Sequence, residues 1–599
     1  MGLKVVCIFL LLFVLAAAVD DDDRVVVGSV RREIRSNGKF VCVNLDWWPQ
    51  SKESPNPTAP FPWANASALT VNFSDPTLLS SLRALSPVHL RVGGSLADMI
   101  TFVHNDPPAE TTGENHCHPP LPAPGTPLGY GPGCISARRY TSLHEMCRAT
   151  GCKILFGLNG LVGRRPAPNT TALWRGNWDA SNARALLAFT KARGLSATLA
   201  GVELGNELDG AAGIAARLPP GPYAGNFFQL RRLLEDIFAE DERPLLIGPD
   251  SSGFSDSWWY PQFLGNMTAR GEMPLDVLTW HLYLLGSGNS SAVPNEILNA
   301  TYLNTLAGKC SQHHETLITY GTPEVSPGSK TPQFWLGEGG GAYGSGQDGS
   351  TNTFLSSFWY ADSLGMLAAQ GHDAFCRQAL VGGNYALLNY VDGGSFSPNP
   401  DLYTAILFRH LAGDRVLQAW AKESGSEGSG RMDEEVEGVV EDWKLGGNGT
   451  QGNLRSYAFC ARRASAATSS PVTFPAPLPP GAVAVLLINL DNNEERTRRV
   501  GISVRPGGDL DGQTRAPLSS QDGGFQDKAV RYEYLLTSPD GLSSHRVALN
   551  GKLLEANTKT GTLPVLQAIS VPASKPVELP PLSLAFVILP DAQVEGCMF

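Results

Sequence analysis

Between residues 40 and 415 the chain switches eight times from a short apolar or β-branched run to a stretch with helical periodicity, and few folds accept that rhythm. The eight runs are FVCVNLD ending at Asp46, VHLRVGG through Arg91, KILFGLN ending at Asn159, AGVELGNE ending at Glu207, PLLIGPD ending at Asp250, DVLTWHLY ending at His281 and Tyr283, QFWLGE ending at Glu338, and CRQALVGGNY ending at Asn384 and Tyr385. Helices are expected over 77–85, 139–149, 181–193, 225–240, 256–269, 296–308, 353–369 and 401–412. The fourth places Phe227, Leu230, Leu234 and Phe238 on one face, with Arg231, Arg232 and Glu235 off it. Asp179 or Ser181 can cap the third, and Gly194 stops it.

This alternation predicts an α/β fold, a (β/α)8 TIM barrel over 40–415. A doubly wound open sheet is the alternative, but only a closed barrel carries the polar ends of all eight strands to one mouth. Beyond residue 416 strands come without helices, around Leu454 to Cys460, Val483 to Leu490, Arg531 to Leu536 and Leu584 to Leu589, with a hairpin turning on Asn550-Gly551. Residues 416–599 are therefore expected to form a β-sandwich domain containing an acidic, Gly/Ser-rich loop at 422–450. The segment 20–39 holds a strand-like run, 24–34, that can join that sandwich.

Residues 1–19 pair one lysine with an apolar run and small residues, the pattern of a secretory signal peptide and too short to span a bilayer. Secretion gives meaning to the N-x-S/T triplets at Asn65, Asn72, Asn169, Asn266, Asn289, Asn299 and Asn448, expected glycosylation sites. It also makes the odd set of nine cysteines after Cys7 a mixture of disulfides with at least one buried thiol. The HCH at 116–118 has no companion cluster at zinc spacing, so a loop or disulfide role is expected there. A net charge of −11 without a basic stripe argues against nucleic acid. The location expected is extracellular, in a wall or apoplast, with lysosome or vacuole as alternatives, and peripheral membrane association is left open.

Two strands end in a lone carboxylate, Glu207 on the fourth and Glu338 on the seventh. Across a barrel mouth such a pair suits glycoside hydrolysis, where one carboxyl protonates the leaving oxygen and the other attacks the anomeric carbon. Asn206 is placed to meet a sugar 2-OH, and Arg91, His281 and Tyr283 to hold Glu338 ionised. No metal or cofactor is called for. The GSGQDG string at 344–349 has dinucleotide-loop spacing but follows the seventh strand, and reads as a flexible barrel loop.

VELGNE, TWHLY, FWLGEGGGAYG and RQALVGGNY, with HLRVGGS and FGLN upstream, resemble heparanase and its plant relatives in glycoside hydrolase family 79, from about residue 25 to the C-terminus. The resemblance implies a retaining β-glucuronidase of barrel plus sandwich, with Glu207 as acid/base and Glu338 as nucleophile. It implies a sugar pocket lined by Asp46, Asn206, Tyr283 and Tyr385, in which Tyr343, Gly344 and Ser345 amides and Tyr385 hold the glucuronate carboxylate; Ser95, Asn159 and Asn384, at or near strand ends, are further candidate substrate-binding residues. It also implies a Cys460–Cys597 disulfide.

The chain departs from animal heparanase in two places. Residues 104–134, a Pro/Gly-rich loop with two cysteines, replace an excised linker, so one uncut chain is expected. The segment after the fifth strand, SSGFSDSWWYPQF, has no Lys or Arg, which disfavours a sulfated polyanion; Trp258, Trp259 and Tyr260 suggest a less charged glycan or aglycone. The expected function is a secreted β-glucuronidase acting on cell-wall glycans, proteoglycans or small glucuronides. An endo-β-glucuronidase for heparan sulfate-like chains and an inactive carbohydrate-binding protein are the alternatives.

Overall fold

The computed structural model describes residues 22–598 apart from 53–61, 105–116, 124–125, 171, 211–212, 254–257, 322–330, 392–393, 425–451, 464–469, 494–496 and 506–528. The leader, Asn448 and nearly all of the acidic loop lie outside the described residues.

Eight parallel strands close into a barrel in sequence order. They are Val41–Leu45, His89–Val92, Lys153–Leu158, Leu199–Leu204, Leu245–Ser251, Val277–His281, Gln333–Gly339 and Ala374–Arg377, called strands one to eight below. Strand eight pairs with strand one in register Cys376↔Cys42, and a disulfide joins the same two residues. Nearly every strand residue is buried, because side chains alternate between the barrel interior and the helix layer.

The eighth strand departs from expectation. It stops at Arg377, and 378–387 form a loop that brings Gln378 and Tyr385 to the mouth, with Gly382 and Gly383 at φ of 88° and 75°, outside the extended range of a regular strand. Asn384 and Tyr385 are thus loop residues. The fourth helix, Pro220–Ile237, begins five residues before its expected start, its proline in the first turn where no amide hydrogen is needed. The sixth runs Ala300–Thr316, capped by Asn299.

Among the described residues eleven strands make the second layer, one hydrogen-bonded sheet. The N-terminal strand Asp23–Glu33 lies inside it, antiparallel to Ala412–Lys422 and parallel to Arg498–Val504. One face carries a core of its own, with Val25, Val27, Val485, Val587 and Leu579. The other face presents Tyr457, Phe459, Leu486 and Phe586 to the barrel's last two helices, Phe354–Ala369 and Pro400–Leu411. Both faces are apolar because both are covered. Arg455 and Asp362 pair within this seam, where the Tyr457 hydroxyl also donates to Asp362 Oδ1 at 2.6 Å; Gly365 leaves room for the Tyr457 ring.

Among the described residues four disulfides are formed: Cys42–Cys376, Cys117–Cys134, Cys147–Cys152 and Cys460–Cys597. Cys310 is a buried thiol. No helix among the described residues is long and apolar enough to cross a membrane.

Candidate active site

A cleft of about 830 Å³ opens at the carboxyl ends of the barrel strands, and Glu207 and Glu338 both line it. Glu338 belongs to strand seven, whereas Glu207 stands three residues past strand four in a turn with φ 53°, its amide donating to the Asp250 carbonyl at 2.8 Å. A carboxylate oxygen of each, with a ring nitrogen of His281, lies within 4.8 Å of the others.

Each carboxylate has its own support. Glu338 Oε2 accepts from Arg91 Nη1 at 2.9 Å and Oε1 from the Tyr283 hydroxyl at 2.5 Å. Burial alone pushes the Glu338 carboxyl up, but His281, Arg91 and the Tyr283 bond outweigh it and hold the group below its ordinary range. His281 Nδ1 donates to Glu207 Oε1 at 2.9 Å and stands 3.9 Å from Glu338 Oε2. His281 thus bears on Glu207 more closely than on the Glu338 it was expected to hold. Burial lowers the affinity of its ring for a proton, and Glu338, Asp250 and Glu207 reverse that, raising it to about 10.

Arg91, itself 1% exposed, is the hub beneath the cleft floor. Besides Glu338 it donates through Nε to both Glu203 oxygens, at 2.9 and 3.1 Å, and through Nη2 to Asn206 Oδ1 at 2.9 Å. Its charge leaves Glu207, His281 and Glu338 poorly suited to a metal ion despite their spacing, since a dication would face a fixed guanidinium.

Asp46 lines the cleft, accepting from Gln378 Nε2 at 2.8 Å and the Trp47 amide at 2.6 Å. Burial, and then Glu338, push its carboxyl up to about 7. Gly94, with φ 111°, lets the chain pass over it; a Cβ there would sit 2.5 Å from Asp46 Oδ2.

The expected residues divide into two groups. Asp46, Ser95, Glu207, His281, Tyr283, Glu338, Tyr343, Gly344, Ser345 and Tyr385 share the cleft. Arg91, Asn206, Asn159 and Asn384 do not line it. Asn206 is tied to Arg91 and, through its amide, to Asp98 Oδ2 at 2.8 Å. Asn159 spends its side chain on the Ile100 carbonyl and the Leu161 amide. Asn384 is buried within the mouth loop, its amide donating to the Ser345 carbonyl at 2.6 Å.

The 344–349 loop lies against the chain after strand six: the adjoining Tyr343 amide donates to the Gly286 carbonyl at 2.8 Å, and Gln347 Nε2 donates to the carbonyls of Gly288 and Ser290 at 3.0 and 2.8 Å. One expectation is corrected. Trp259 and Tyr260 face inward, Trp259 stacking on Phe263 with its indole N–H on the Leu218 carbonyl, so of the three aromatics only Trp258 is exposed, and it lies outside the cleft. Sequence reasoning missed Glu203, Gln378, Trp63 (donor to Ser345 Oγ at 3.0 Å) and Lys52, which lies 4.1 Å over the Trp48 ring. For Glu203 a signal existed: a carboxylate in mid-strand, inside a barrel, needs a buried cation.

Residues 22–365 match the N-terminal domain of glycosyl hydrolase family 79. The chain belongs to that family. Heparanase-like protein 3 of Arabidopsis thaliana is 31% identical over 96% of this chain and 93% of its own length. Baicalin-beta-D-glucuronidase of Scutellaria baicalensis is 29% identical over 93% and 90%, and mouse heparanase 28% over 87% of each. Among solved structures, a 4-O-alpha-L-rhamnosyl-beta-D-glucuronidase from Fusarium oxysporum superposes with a TM-score of 0.55 at 12% identity, covering 94% of this chain and all of that one, a likeness of fold. This family 79 chain is a glycoside hydrolase with a TIM barrel, and its paired carboxylates stand at the barrel end where such enzymes do their chemistry.

Proposed function

We propose that the protein is a retaining β-glucuronidase in which Glu207 is the acid/base and Glu338 the nucleophile. The observation that carries this is the approach of the two carboxylates to within 4.8 Å, with only one of them gripped by a guanidinium. That spacing suits double displacement; an inverting pair stands about 6.5–9.5 Å apart to admit a water. Glu338 Oε attacks the anomeric carbon while the Glu207 proton passes to the glycosidic oxygen, and the aglycone leaves. Water then attacks the same carbon, gives its proton to Glu207 and frees Glu338, with configuration retained.

Glucuronate specificity is supported by the names of the relatives above and by the loop after Glu338. Gly344 and Ser345 have φ of 76° and 73° and line the cleft beside Tyr385, and successive backbone amides in such a turn can receive an anion. The Tyr343 amide is already bonded to Gly286, so the anion falls to the amides of Gly344 and Ser345. Among described residues lining the cleft, the ammonium groups are Lys52 and Lys309, too few for a highly sulfated chain. Small or weakly charged glucuronides are therefore the substrates of choice.

Release of 4-nitrophenol from its β-D-glucuronide by wild type and by Glu338→Gln tests the reading. Loss of about 10⁴-fold or more is expected in the variant, and equal rates overturn it. The leader and the sequons support a secreted glycoprotein; Asn72, Asn169, Asn266, Asn289 and Asn299 are exposed and Asn65 half-buried. A mobility shift of the medium-borne protein on enzymatic deglycosylation is expected, and an intracellular, unshifted product would refute that part.

A further inference from the structure

The barrel mouth contains a buried carboxylate to which the double displacement gives no task. Asp250 is the next-to-last residue of strand five, is wholly buried, and has a backbone φ of 52°, in the left-handed region that few residues but glycine, Asn and Asp enter. Its main chain is fixed: the amide donates to Thr279 Oγ1 at 2.9 Å and the carbonyl accepts from the Glu207 amide at 2.8 Å. Its side chain is held more loosely, by long contacts to His281 and the Thr279 hydroxyl rather than by short hydrogen bonds. Oδ1 stands 3.5 Å from His281 Nε2, and Oδ2 stands 3.8 Å from Arg91 Nη2. Buried carboxylates ordinarily gather close donors; this one is aimed at the edge of an imidazole whose other nitrogen donates to Glu207.

We propose that Asp250 is a positioning residue for the second half of the reaction, keeping the proton on His281 while Glu338 is esterified, so that Glu207 stays a carboxylate able to accept a proton from water. The inference rests on the glucuronidase reading. Before reaction His281 faces Glu207 from beyond strand four, Glu338 from strand seven and Asp250 from strand five, with Arg91 and its partner Glu203 beneath. Glycosylation makes Glu338 a neutral ester, sends the Glu207 proton off with the aglycone and leaves Glu207 ionised. His281 has then lost one anion and gained another at 2.9 Å. Transfer of the Nδ1 proton to Glu207 would leave a neutral imidazole and a carboxylic acid that cannot serve as base. Asp250, facing Nε2–H, opposes that transfer. When water attacks, its proton goes to Glu207, the ester electron pair returns to Glu338, and the starting charges are restored. The high proton affinity of His281, to which Asp250 contributes, agrees with this role.

The test compares wild type with Asp250→Asn, a substitution of equal size, on 4-nitrophenyl β-D-glucuronide. A fall in kcat of about 10–100-fold is expected with kcat/KM within about threefold, because kcat/KM reports only steps through glycosylation. A nitrophenolate burst near one per enzyme should appear, the alkaline limb of kcat should move down by about one pH unit, and azide, which needs no base, should restore turnover. Equal losses in kcat and kcat/KM without a burst, or unchanged kinetics, overturn the assignment while leaving the glucuronidase reading intact. A wild type that releases no nitrophenol overturns that reading and this inference with it. Should Asp250→Asn not fold, His281→Gln must show the same burst and azide rescue; its absence overturns the proposal equally.

Discussion

Among the buried charge clusters of the described residues, the one under the barrel mouth and the one in the seam between barrel and sheet are built on opposite rules. In the seam, Asp362 meets Arg455 and Tyr457, and both its oxygens accept hydrogen bonds, Oδ2 from Arg455 Nη2 at 3.0 Å. Under the mouth, Arg91 and His281 are shared among Glu203, Glu207, Asp250 and Glu338. There both Asp250 oxygens and His281 Nε2 are held by long contacts rather than by short hydrogen bonds. A satisfied cluster locks two layers together. An under-satisfied one keeps protons and charges ready to move, which is what a hydrolase needs at the place where it bends the packing rules.

If that contrast is sound, breaking the seam should cost stability and leave the chemistry of surviving molecules alone. Asp362→Leu strands the Arg455 cation in the interior and should cost about 3–5 kcal/mol, read as a fall in the denaturant midpoint. The double change Asp362→Leu with Arg455→Met should recover most of the loss, because the stranded charge is gone. A single variant as stable as wild type would end the distinction drawn here.

The mouth should betray its unsettled charges through pH. Asp46 has its carboxyl raised to about 7, so its protonated form is favoured by folding. Its contribution is fully present below about pH 4, the unfolded value, and is lost as pH rises through 7. Between pH 5 and 7 this one group makes unfolding easier by about 2 kcal/mol. Asp46→Asn, which cannot ionise, should flatten that part of the stability profile, measured by denaturation at successive pH values. An unchanged slope would mean that Asp46 is not held as described.

Much of this was legible in the sequence, and what was not has a common cause. An apolar strand that ends in a carboxylate announces itself, so Glu207, Glu338 and the eightfold count could be read directly. Asp250 was visible as a strand end, yet its approach to His281 is set by a backbone turn that spacing does not encode. Glu203 and Arg91 meet from strands 112 residues apart, and Cys42 and Cys376 across 334. Closure of the barrel brings such pairs together, and no local pattern marks them. ALVGGNY reads as a strand continuation because its residues are apolar, but paired glycines at positive φ turn it into a loop. Trp258, Trp259 and Tyr260 are adjacent in sequence, yet successive helical residues point about 100° apart, so one faces solvent and two enter the core.

The smallest effect is the one that separates the two clusters most cleanly. Tyr283 donates a 2.5 Å bond to Glu338 Oε1, while Arg91 holds Oε2 from the other side. In Tyr283→Phe the ring stays, and Glu338 keeps its guanidinium, so no charge is stranded and stability should change by less than about 0.5 kcal/mol. The chemistry should feel the change. A hydrogen bond to a charged group is worth about 1.5 kcal/mol at the low end, or roughly tenfold in rate. Without that donor, Glu338 accepts protons more readily, which should lift the acid limb of kcat/KM, reporting the nucleophile in the free enzyme. A tenfold loss in kcat/KM with an upward-shifted acid limb and an unaltered melting temperature would place Tyr283 with the mouth's working groups. A loss of stability with an unshifted limb would make its bond a lock like the one at Asp362, and the contrast between the clusters would fail.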